Sequence, residues 1–75
     1  MPNTGDIHQD PTVQAMADDI QVSLQYGDPM STWFNADGTP QEWFVVACAD
    51  EYELRTNARV DGYAIAEAIY GLVTE

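Results

Sequence analysis

The chain has no lysine, a single cysteine, a single histidine, and no apolar run longer than Trp43 to Ala49. Each scarcity excludes something. Cys48 alone forms no internal disulfide, whereas small secreted domains generally depend on such staples, so a reducing, cytoplasmic setting is expected. The longest apolar run is far below the roughly 20 residues of a membrane span, and no charged-then-apolar leader opens the sequence, so no membrane partner is expected. His8 lies in a polar stretch and Cys48 has no histidine near it in sequence, which leaves neither a nucleophilic triad nor an activated thiolate. Zinc-ligand spacings and a glycine-rich phosphate loop are missing too. Asn35, Asp37 and Gly38 begin like a calcium loop, but its twelfth position is Val46 instead of a bidentate glutamate, so a hairpin turn is the expectation there. Asp18-Asp19 and Asp50-Glu51 are adjacent carboxylates, which is not an acid-base pair without a pocket to hold them. These residues predict a non-enzymatic protein without a cofactor or a metal.

What the chain has is acid. Thirteen Asp and Glu stand against Arg55 and Arg59, for a net charge of -11 over 75 residues. The carboxylates fall on every segment, so the folded surface is expected to be negative nearly all round. Such a field repels nucleic acid and anionic membranes and speeds encounter with basic protein surfaces. Solubility alone is the simpler account of it. The 45% hydrophobic content, with two Trp, two Phe and four Tyr, argues for a folded unit despite the charge.

Residues 1–9 are polar and aperiodic and read as a flexible arm, with a single domain over 10–75. Asp10-Pro11 is a helix start, and Val13, Met16, Ala17, Ile20 and Leu24 form a stripe that ends at Gly27, predicting a helix over about 10–26. Ser31 to Asn35, a turn at Ala36-Asp37-Gly38, the run from Glu42 to Ala49, a turn at Asp50-Glu51 and the segment Tyr52 to Asn57 read as three antiparallel strands. Asp61 caps a last helix whose face is Ile65, Ala68, Ile69 and Leu72. The expected fold is therefore α+β, a three-stranded meander with two helices on one face.

In that meander Val45, Ala47 and Ala49 pair with Thr56, Leu54 and Tyr52 on a helix-covered face, with Trp43 at its end. The other face carries Phe44, Val46 and Cys48 beside Glu53, Arg55 and Asn57, and nothing remains in the chain to cover it. Each Trp-Phe pair, Trp33-Phe34 and Trp43-Phe44, supplies one aromatic to each face. The open face, led by Phe44 and Val46 with Arg55 beside them, is one candidate interface, suited to a small adaptor or a homodimer.

A second candidate surface lies on the helices. Val22 and Tyr26 flank Asp18 and Asp19 on the first helix, and Tyr63, Glu67 and Tyr70 turn outward on the last. Tyrosine offers contact area with a polar tip, and a neighbouring carboxylate meets arginine bidentately. With Glu51 and Glu53, these residues suit an arginine- or lysine-rich partner protein, and exclude direct binding of nucleic acid by the acidic chain itself. The simpler alternative is that individual tyrosines fold over the edges of the sheet.

In size, acidity, predicted α-β-β-β-α order and lack of a catalytic set, the chain resembles the small phage-encoded inhibitors that include anti-CRISPR proteins. The resemblance carries no motif and so assigns no residue. It implies a DNA mimic that occupies a basic groove built for phosphates, inside a bacterial host cell.

Overall fold

The computed structural model describes residues 7–75. It consists of three α-helices, α1 (Pro11–Gln25), α2 (Glu42–Thr56) and α3 (Gly62–Thr74), with 3-10 turns at Ile7–Gln9 and Met30–Thr32. Among the described residues there is no sheet; the nearest approach to one is a lone antiparallel bridge between Phe34 and Pro40. The fold is all-α, and the expected α+β meander is corrected.

The outer helices form as their sequences predict. The Asp10 carboxylate accepts from the Thr12 amide at 2.8 Å and Pro11 occupies the first position of α1. The helix closes through a paired cap in which the Gly27 amide donates to Leu24 and the Asp28 amide to Ser23, each at 3.1 Å. Asp61 likewise caps α3 by accepting from the Tyr63 amide at 3.0 Å. The end of the expected arm, Ile7–Gln9, packs against α1 and α3, while residues 1–6 lie outside the described residues.

The middle of the chain is where the expectation fails. Phe44, Cys48, Ala49 and Tyr52 are buried at spacings of four, one and three, a helical repeat that fixes α2 against its neighbours. No Gly or Pro interrupts 42–56, Glu42 stands in the first turn, and Arg55 in the last, as the helix dipole favours. Asp50-Glu51, read as a strand-joining turn, lacks the Gly, Asn or Pro that such turns use and falls inside the helix. Asn57, the expected end of the third strand, adopts the left-handed conformation (φ 61°) and terminates α2. The β-branched and aromatic run Phe44 to Val46 has strand propensity, but that preference is weak beside the packing of a helical face.

The turn at Ala36-Asp37-Gly38 does form. The Asn35 amide donates to the Thr39 carbonyl at 2.7 Å, and the Gly38 amide to the Asn35 carbonyl at 3.0 Å. Thr39 donates to Asp37 Oδ1 through its hydroxyl (2.6 Å) and its amide (3.0 Å), and these bonds hold the Asp37 carboxyl below its usual range. Gly38 has φ +88° and lies under the Tyr70 ring, where a side chain would crowd it. Gln41 then leads into α2, its amide donating to the Trp33 carbonyl at 2.8 Å and its side chain to Ser31 at 3.2 Å.

α3 is the central element. It packs along both α1 and α2, which touch each other little. Its N-terminus crosses α2 so closely that a Cβ on Gly62 would collide with the Val45 carbonyl oxygen. One core cluster joins Val13 and Met16 of α1, Phe44, Cys48 and Tyr52 of α2, and Ile65, Ala66, Ala68 and Ile69 of α3, with Trp33 and Phe34 from the connecting segment. Phe34 sits edge-on to both Phe44 (5.4 Å) and Tyr70 (4.9 Å). Tyr52 donates its hydroxyl to Asp10 Oδ2 at 2.5 Å, tying α2 to the start of α1.

Candidate partner-binding face

Because α1 and α2 are held apart by α3, an open groove of about 260 Å³ remains between them. Met16 and Ile20 of α1, Phe44 and Ala47 of α2, and Ile69 of α3 line it. Trp33 and Trp43 also border the groove, as do Asp19, Glu51 and Arg55. Ala47 matters here, since a larger side chain would fill the space between the helices. Cys48 also reaches the lining but is buried, and desolvation pushes its thiol up to about 12. At neutral pH that is an inert thiol.

Arg55 bridges the two helices. Its Nε donates to Glu51 one turn earlier at 2.7 Å, and its Nη2 to Asp19 of α1 at 3.1 Å. Arg59 is held in the same way, 2.6 Å from Glu53 and 3.6 Å from Asp50. The carboxylates raise both guanidinium pKa values, Glu51 being the main cause for Arg55 and Glu53 for Arg59. Each arginine is thus engaged by two carboxylates of its own chain, and no charged side chain is buried among the described residues.

The outward face of α2 carries large apolar residues. Trp43 is 53% exposed and Leu54 79% exposed; with Ala47 and Asp50 they follow at spacings of four, three and four, which is one stripe of a helix. Val46, 60% exposed, flanks the stripe above a second hollow near Val60 and Arg59. No sequence argument built on strands finds this stripe; the spacing Trp43, Ala47, Asp50, Leu54 was the available signal once the segment is treated as helix.

Of the residues expected to meet a partner, Asp18, Asp19 and Val22 are exposed on α1 and Tyr26 at its C-cap, and Glu51 and Glu53 lie on α2. Asp19 and Glu51 are brought together through Arg55. Tyr63 and Glu67 are exposed on α3, outside the groove. Tyr70 is corrected: its ring packs on Phe34 and covers Gly38, which makes it part of the fold. The alternative interface is corrected as well, because the open sheet face does not exist. Phe44 is buried in the core, Val46 is exposed on a helix, and Arg55 is bound to Asp19 and Glu51. Of the four Trp-Phe aromatics, three are buried and only Trp43 remains outside.

Among the described residues no helix is long and apolar enough to cross a membrane, and no three His, Cys, Asp or Glu side chains converge where they could hold a metal. The fold and the site define a class in physical terms: a small acidic three-helix domain with an apolar groove on one side. No family model, curated protein or solved structure matches the chain.

Proposed function

We propose that this protein is a non-enzymatic acidic inhibitor that binds a basic nucleic-acid-binding protein and blocks its access to nucleic acid, as a DNA mimic of the anti-CRISPR kind. The observation that carries this reading is the engagement of both arginines by carboxylates of their own chain. A surface meant only for solubility tolerates cations of its own among the acids. Here the two that exist stay at the surface but are each paired with two carboxylates, which leaves acids in excess around them. Duplex DNA presents one charge per roughly 1.7 Å of axis, and a phosphate-binding groove responds to such a display through the same arginines and lysines.

The all-α fold removes the topological half of the resemblance to phage-encoded inhibitors; size, charge and the lack of a catalytic set remain as its support. Asp19 and Glu51, brought together through Arg55, are the centre of the proposed contact, with Asp18, Val22, Tyr26 and Glu53 as exposed residues around it. Tyr63 and Glu67 offer a separate contact on α3. A homodimeric adaptor is the second reading, favoured by the exposed Trp43, Val46 and Leu54, and opposed by the charge that two copies would bring together.

Displacement from DNA tests the proposal. Basic proteins of a bacterial lysate are loaded on immobilised duplex DNA and challenged with the protein at graded salt. The wild-type chain elutes a defined protein at low salt, and the effect fades as salt rises, because screening acts over roughly 8 Å at physiological ionic strength. The variant D18K/D19K elutes far less, a loss much larger than the small fall in melting temperature that breaking the exposed Arg55–Asp19 pair causes. Elution of nothing, or equal elution by the variant, rules the proposal out.

A further inference from the structure

We infer that the groove between α1 and α2, together with the exposed stripe of α2 that runs beside it from Trp43 at the groove to Leu54 outside it, is a docking surface for one cationic amphipathic helix of the partner, whose apolar edge lies on Trp43 and Leu54 while its arginines or lysines meet Asp19, Asp50 and Glu51. The inference rests on the acidic-inhibitor reading and names the element of the partner that the protein grips.

Charge mimicry does not account for Trp43 and Leu54. Neither belongs to the core cluster, although one side of the Trp43 ring rests on Phe44 at 5.5 Å between ring centroids, and a surface that only imitated phosphates would carry polar residues at both positions. Tryptophan at the edge of an apolar groove is instead the residue type that most often anchors an interface. The stripe from Trp43 to Leu54 runs about 16 Å at the rise of an α-helix, roughly three turns, and helix-in-groove recognition is read through anchors at that spacing. The groove, at about 260 Å³, falls below the usual range for small-molecule pockets of roughly 300–1,000 Å³, so it suits side chains. No buried side-chain nitrogen or oxygen lacks a partner among the described residues, so the floor presents no polar handle for a polar ligand.

Charge selects the occupant. Arg55, at the groove, is shared by Asp19 and Glu51, and Arg59 by Asp50 and Glu53, so each cluster has two carboxylates to one cation and keeps one negative charge in excess for a partner's cation to meet. A second copy would set -11 against -11. A partner helix with leucine-like residues along one edge and arginine or lysine beside them satisfies both the apolar floor and the acidic surroundings.

Three synthetic peptides of about 18 residues, long enough to cover the stripe, separate the possibilities. One is an amphipathic Leu/Arg/Lys helix, one a scramble of the same composition, and one an equally charged peptide with serine for leucine. Calorimetric titration gives the affinity of each for the wild-type chain, for Trp43→Ala and for Leu54→Ala, and sedimentation gives the size of the free protein. The amphipathic peptide binds at least roughly tenfold more tightly than the other two, and either substitution removes that advantage while leaving the weak, salt-sensitive binding of the serine peptide. Should Trp43→Ala lower the melting temperature, Leu54→Ala, the more exposed of the two, decides. Equal binding of all three peptides overturns the groove and leaves the acidic-inhibitor reading standing. Failure of all three to bind at low salt removes both. A dimer of the free protein that Trp43→Ala dissociates gives this face to a second copy and also overturns the inference.

Discussion

α2 and α3 are neighbouring helices of similar length that use their apolar residues in opposite ways. α3 turns Ile65, Ala66, Ala68 and Ile69 inward and packs against both other helices, so its aliphatic content is largely accounted for by the core and only Tyr63 of its large hydrophobic side chains is exposed. α2 buries Phe44, Cys48, Ala49 and Tyr52 on one side and leaves Trp43, Val46 and Leu54 outside. The fold determines the first helix almost completely and the second only on its inner face. The outer residues of α2 are therefore free to answer to something other than stability.

The sharpest way to break that comparison is to truncate both helices. Ile65→Ala or Ile69→Ala removes a fully buried side chain and is expected to lower stability by about 2–5 kcal/mol, whereas Leu54→Ala stays within about 0.5 kcal/mol. Urea unfolding midpoints of the variants check this. A large loss at Leu54 would mean that the outer face of α2 is structural after all.

Gly62→Ala addresses the crossing of the two helices. The added methyl meets the Val45 carbonyl, and separating α3 from α2 is expected to cost about 1–3 kcal/mol. Thermal melts measure it. Asp10→Ala follows, with a loss of about 1 kcal/mol from the missing helix cap, since the same side chain also accepts the Tyr52 hydroxyl.

The outer helices were legible because their boundaries and stripes agree: Asp10-Pro11 and Gly27 bracket one, and Asp61 opens the other. α2 was not, because its apolar residues lie on both faces and blur the helical period. Phe44-Val45-Val46 then satisfies strand propensity locally. The site inherited the same division. Its carboxylates could be named from composition and from their places on α1, but the groove exists only when α2 is a helix standing beside α1. A strand reading puts Trp43 in the core and Phe44 on the surface, the reverse of their positions.

Alkaline titration sharpens the inner face of α2. Burial raises Cys48 from near 9 to about 12, and the bond to Asp10, followed by desolvation, raises Tyr52 above its ordinary value near 10. Both folded-state values exceed the unfolded ones, so the neutral forms are favoured in the folded chain. Their contribution is complete below about pH 9 and declines as pH climbs from there towards 12, where the unfolded chain ionises and the folded one does not. Stability measured by urea unfolding is expected to fall across that window. Cys48→Ala flattens the part that begins near 9, and Tyr52→Phe the part that begins near 10.

A substitution with a small expected effect on folding is also the most informative. The melting temperature of Trp43→Ala, measured beside its affinity for the amphipathic cationic peptide, asks whether the outer face of α2 exists for recognition. A melting temperature within about 4 °C of wild type together with a roughly tenfold loss of affinity is the predicted result. A collapsed melting temperature with unchanged affinity would contradict it.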